Sequence, residues 1–110
     1  MPHLVFRGVP AERLKSAAVS LAEELAAICD CGTDNFTMNV INATSVFGDG
    51  SDDPAFAFVE VGWFDRGKQA RNRFAEAVTH TVLQLGIPDV EIVFHAYRED
   101  SYYINGKPVE

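Results

Sequence analysis

The chain has 110 residues, enough for one domain of ordinary size, and its 47% hydrophobic and 23% charged content is that of a globular protein. A formal net charge of -7 argues against nucleic acid as a partner, because phosphate binding needs Lys and Arg in excess on one face. No apolar run approaches the ~20 residues of a membrane span. The start also lacks the cationic segment and apolar core of a signal peptide, so a cytoplasmic protein with no membrane partner is expected.

The chain opens Met1-Pro2. A small second residue favours removal of the initiator methionine, which would leave Pro2 with a free secondary amine. A free α-amino group titrates near ~8. Burial in an apolar pocket disfavours its charged form and makes it a base at neutral pH.

Residues 2–9 read as a strand, with Pro2, Leu4 and Phe6 on one face and His3, Val5 and Arg7 on the other. From Ala11 to Cys29 the period becomes helical: Leu14, Ala17, Ala18, Leu21, Leu25 and Ile28 form one stripe, and Asp30 and Gly32 mark the stop. Cys29 and Cys31 are too close for ordinary disulfide geometry and are read as free thiols near the helix end. Residues 36–42 form a second strand, followed by the loop Phe47-Gly-Asp-Gly-Ser-Asp-Asp-Pro54. That loop places oxygen side chains at calcium-loop spacings, but Pro54 replaces the required glycine and strands flank it instead of helices.

Residues 55–63 form a third strand. Asp65 is placed to cap a second helix from about Arg66 to Leu85, with the stripe Ala70, Phe74, Ala77, Val78, Thr81 and Leu85 ending at Gly86 and Pro88. Residues 90–97 form a fourth strand, and Asn105-Gly106 in the tail favours a type I′ hairpin turn. The order is therefore two βαβ units, about 2–46 and 54–98, within a single domain spanning 1–110. The crossover in each unit makes its two strands parallel. Strands three and four are apolar or mixed on both faces, yet two helices can cover only one face of a four-stranded sheet. The other face should meet a second copy, so a homo-oligomer is expected.

This order, with Pro2 at the head of the first strand and a C-terminal hairpin, resembles the tautomerase superfamily. The loop Phe47–Pro54 is similar to the Phe-Gly-Gly-Ser-Ser-Glu-Pro segment of the macrophage migration inhibitory factor-like family, and the spacing to Ile87-Pro-Asp89 agrees. Met-Pro-His-Leu-x-Phe-Arg, Val-Glu-Val-x-Trp-Phe and Tyr-Tyr-x-x-Gly look like a bacterial branch known as domain of unknown function 1904. The resemblance spans nearly the whole chain. It implies an α/β fold with two helices on one face of a four-stranded mixed sheet, assembled as a homotrimer with pockets at subunit interfaces. It also implies an N-terminal proline that moves a proton between carbon and oxygen of a small enolisable keto acid or related carboxylate, with no metal or organic cofactor.

Carried over by position, Pro2 is the catalytic residue expected. Trp63 and Phe64 fall where relatives line the pocket, with Trp63 equally readable as core. His95 and Tyr97 fall on the strand that offers pocket residues to a neighbouring subunit. Thr33 stands where the inhibitory factor-like family has a substrate-binding lysine. Arg13, Arg66 and Arg71 are candidates by proximity in sequence, not by motif, and an arginine such as Arg66 would hold a substrate carboxylate. The alternative is an inactive trimer of the same fold that binds a small molecule or a protein, since fold alone does not fix function.

Overall fold

The computed structural model describes residues 2–51 and 56–109. Asp52, Asp53 and Pro54 of the central loop, together with Ala55 and Met1, lie outside the described residues. Strand β1 spans His3–Arg7, helix α1 Ala11–Cys29, β2 Thr37–Ile41, β3 Phe56–Trp63, helix α2 Lys68–Gln84 and β4 Asp89–Ala96. A small hairpin, β5 (Tyr103–Ile104) and β6 (Lys107–Pro108), closes the chain. Among the described residues no helix is long and apolar enough to cross a membrane.

The sheet order is β2-β1-β3-β4. Strands β1 and β2 run parallel, as do β3 and β4, while β1 and β3 are antiparallel. This is the duplicated βαβ pattern, joined through the first strand of each unit. The register aligns Leu4 with Met38 and Val61, and Val61 with Phe94. One face of the sheet therefore carries Leu4, Phe6, Ala57, Val59, Val61 and Trp63, all buried against the helices. Leu14, Leu21 and Leu25 from α1 and Phe74, Val78 and Val82 from α2 complete that core.

The second face carries Thr37, His3, Gly62 and His95 in one row, then Asn39, Val5, Glu60 and Val93 in the next. Among the described residues only the tyrosines near one end lie over those rows, and Val5, Glu60 and Val93 are half-buried.

Helix α1 begins after Pro10, whose φ of -63° leads into the first turn without a side-chain cap, and Glu12 complements the positive helix end. It stops because Asp30 takes a left-handed conformation (φ 53°) and donates its N–H to the Ala26 carbonyl. Helix α2 starts two residues later than the sequence suggests. Asp65 does not cap it. Its carboxylate instead accepts the Gly67 N–H at 3.1 Å, closing a turn ahead of the helix, and Gly67 with φ 96° takes the capping position. In the tail Asn105 and Gly106 have φ of 51° and 80°, the pair of positive values a type I′ turn requires.

Candidate functional site

Pro2 is fully buried on the helix-facing side at the head of β1. Its carbonyl accepts the Thr37 N–H at 3.2 Å, which ties the chain start to β2. Because His3 pairs with Gly62, the register carried back one residue sets Pro2 beside Trp63. Trp63 is 1% exposed, with its indole against Phe74 and Phe94 at ring-centroid distances of 5.4 and 5.0 Å. In the single chain it belongs to the core behind Pro2 and offers no surface to a ligand.

Cys29, the last residue of α1, is buried, and burial pushes its thiol above the ordinary cysteine value. Two positive charges act in the opposite direction on the same thiol: the Arg66 guanidinium first, then the amine at the start of the chain. Arg66 itself is exposed, in the turn between β3 and α2. Arg71 is held instead by Asp65 at 3.3 Å, and Arg13 donates to the Leu85 carbonyl at 3.1 Å. Thr33 lies exposed in a 3-10 turn, Thr33–Asn35.

On the other side of the sheet, one residue from Pro2, the His3 ring is held at both nitrogens. Nδ1 lies 2.6 Å from the Thr37 hydroxyl and Nε2 lies 2.7 Å from the Tyr102 hydroxyl. Burial, then the positive charge of the chain start, lowers its pKa below the ordinary histidine value. The ring is therefore neutral at pH 7, with one donor and one acceptor to match two hydroxyls that can take either role.

Around His3 lie Phe64, Tyr97 and Tyr102. Tyr102 packs against Phe64 at 5.2 Å and Tyr97 at 5.3 Å, and Phe64 meets Tyr97 edge-on at 5.8 Å. Tyr97 reaches this cluster across Gly62, where a Cβ would overlap its hydroxyl. Burial raises the Tyr97 pKa above the ordinary phenol value, with Tyr102 adding to the rise, so this hydroxyl stays protonated near neutrality.

Of the residues expected from sequence, the fold gathers Phe64 and Tyr97 around His3, one residue from Pro2, while Arg66 stays exposed in the turn after β3. His95 is half a sheet-width away, on the uncovered face, with Nε2 3.7 Å from the Glu60 carboxylate, which also meets Arg7 at 3.5 Å. Sequence reasoning did not single out His3, Thr37 or Tyr102 for this site, and Tyr102 packs within its own chain. The available signal was Gly62, the lone glycine in an apolar strand, which marks a close approach by another group.

A groove of about 520 Å³ between α1 and α2, lined in part by Glu24, Ile28, Arg73, Glu76 and His80, lies on the helical side of the molecule. Among the described residues no group of three His, Cys, Asp or Glu side chains is placed to hold a metal ion.

The family model for DUF1904, a domain of unknown function, matches residues 1–108. A DUF1904 structure from Sebaldella termitidis is 36% identical, with a TM-score of 0.88 over 98% of this chain and 99% of that one. A macrophage migration inhibitory factor homologue from Prochlorococcus marinus is 20% identical, with a TM-score of 0.80 over 98% and 99% of the two chains. Pt0534, solved after inactivation by 2-oxo-3-pentynoate, is 14% identical, with a TM-score of 0.80 over 97% and 96%. Those last two likenesses establish the fold. No curated protein matches the chain. The chain belongs to the DUF1904 family, and its fold is that of the tautomerase and macrophage migration inhibitory factor-like proteins.

Proposed function

We propose that the protein is a tautomerase-like isomerase in which Pro2, freed by removal of Met1, acts as general base on a small enolisable keto acid or related carboxylate. The observation that carries this reading is the burial of Pro2 at the head of β1, beside Trp63, in a fold shared with the tautomerase-like proteins. Burial disfavours the ammonium form of a free proline nitrogen, and a guanidinium brought alongside it would disfavour that form further. The amine is then unprotonated at neutral pH and can accept a proton.

The chemistry follows from these groups. The Pro2 nitrogen takes a proton from the carbon beside the keto group, and the electron pair of that C–H bond moves to the carbonyl oxygen as an enolate. Transfer of that proton from the Pro2 ammonium to the oxygen gives the enol and frees the amine, and the reverse order returns the keto form. Arg66 holds the substrate carboxylate by paired charge-assisted hydrogen bonds. Phe64 and Tyr97, on the opposite face at the same end of the sheet, would border a substrate that reaches past the strand end, where excluding water strengthens the contacts to the enolate. Pt0534, which shares this fold, is inactivated by a 2-oxo acid, and that supports the substrate class. The uncovered sheet face supports a homotrimer in which His95 of one copy approaches the site of the next.

Turnover of phenylpyruvate and 2-hydroxymuconate by the purified protein, with Pro2→Ala as control, tests the proposal. The expected result is a rate reduced at least a hundredfold by the substitution, the scale of losing a positioned base (~10²–10⁴). Equal rates in the two proteins would instead favour a binding module of the same fold.

A further inference from the structure

His3 follows the proposed base directly in the chain, and its side chain joins three segments that are distant in sequence. At Nδ1 it meets Thr37 at the start of β2; at Nε2 it meets Tyr102, ninety-nine positions later. Tyr102 in turn anchors the C-terminal hairpin, because its carbonyl accepts the Val109 N–H at 3.0 Å. The Tyr102 ring also lies nearly parallel to the His3 ring, at 10° and 6.3 Å between centroids. Thr37 therefore holds the chain start twice: its N–H donates to the Pro2 carbonyl, and its hydroxyl hydrogen-bonds the ring of the next residue.

We infer that His3 is a positioning residue of the Pro2 site. Its two hydrogen bonds latch the C-terminal hairpin and the Phe64–Tyr97 wall onto the head of β1, and so fix the surroundings of the Pro2 nitrogen. This inference rests on the reading of Pro2 as a base. Without the latch the Val109 N–H and the short β5–β6 ladder lose their tie to the sheet, and water reaches the end of β1. A base that depends on burial for its low pKa is then re-solvated, and its pKa climbs back toward the ordinary amine value.

The test uses protein lacking Met1, labelled with 15N-proline, as wild type and as Tyr102→Phe, His3→Phe and His3→Gln. Tyr102→Phe removes one hydroxyl and keeps the ring packing, so it remains informative if His3→Phe does not fold. Two quantities are read: the pH titration of the Pro2 nitrogen and the exchange rate of the Val109 amide. The expected result for Tyr102→Phe and His3→Phe is Val109 exchange about tenfold faster, the scale of one lost hydrogen bond, together with an upward shift of the Pro2 titration by about half a unit or more. His3→Gln, whose amide nitrogen can replace Nε2 toward Tyr102, should restore both.

A Pro2 titration that is the same in wild type and in both latch variants would overturn the inference even if Val109 exchanges faster, since His3 would then hold the hairpin alone. Failure of the base reading looks different: in the wild type the Pro2 nitrogen titrates at or above the ordinary ~8 of an α-amino group, and both proposals fall together.

Discussion

Gly62 lacks a side chain because the Tyr97 hydroxyl occupies the space a Cβ would fill. Gly62→Ala must push Tyr97 off the Phe64–Tyr102 cluster or bend β3, and overpacking of this kind costs about 1–3 kcal/mol. A urea unfolding curve should show the lower midpoint, and the Tyr97 ring signals should shift with it. His3 gives a pH dependence of defined sign. Its folded pKa lies below the ordinary histidine value of 6.5, so the unfolded chain binds the proton more readily. The stability it contributes is fully present above the unfolded value and is lost as the pH falls from there through the folded one. His3→Gln should flatten the fall in melting temperature over that window. The two thiols should also part company. Cys29 is buried with a raised pKa, whereas Cys31 is only half-buried, so iodoacetamide at neutral pH should label Cys31 well before Cys29 in the folded protein.

At the scale of elements, the β5–β6 hairpin depends on the positive φ values at Asn105 and Gly106. Gly106→Ala forces a side chain into a left-handed position at a cost of about 1 kcal/mol. The ladder is only two residues long, so the loss should appear as faster exchange of the Lys107 and Val109 amides while the global unfolding midpoint holds. The helices were legible for a physical reason. The Leu14–Leu21–Leu25 stripe and the punctuation by Pro10 and Asp30 all act locally, and α1 runs from Ala11 to Cys29 as they require. The start of α2 was misread because Asp65 serves the preceding turn, a choice that depends on Gly67 adopting φ 96°. The His3–Tyr102 contact carries no local signature, since alternation gives a residue its face and not its partner. Trp63 shows the converse limit. One face of β3 is wholly apolar and the other mixes Phe56 and Phe58 with Glu60, so the position of the helices decides that the indole faces Phe74 and not the open side.

Among the described residues one sheet face is packed and one uncovered, and the uncovered one bears Val5 and Val93 beside Arg7, Glu60 and His95. Apolar residues facing water across a sheet mark an interaction surface, which supports the proposed trimer. Val93→Glu places a second carboxylate beside Glu60 in the middle of that face. Sedimentation velocity should then show a species smaller than the wild type, with an unchanged circular dichroism spectrum. Equal sedimentation of the two proteins would argue against assembly through this face. The central claim concerns a single nitrogen, and 15N-proline labelling of the untagged protein observes it directly among five prolines. The account predicts that one proline nitrogen, that of Pro2, is a free amine titrating below the ordinary ~8 of an α-amino group, while the other four stay silent as amides. A spectrum in which no proline nitrogen titrates would contradict it.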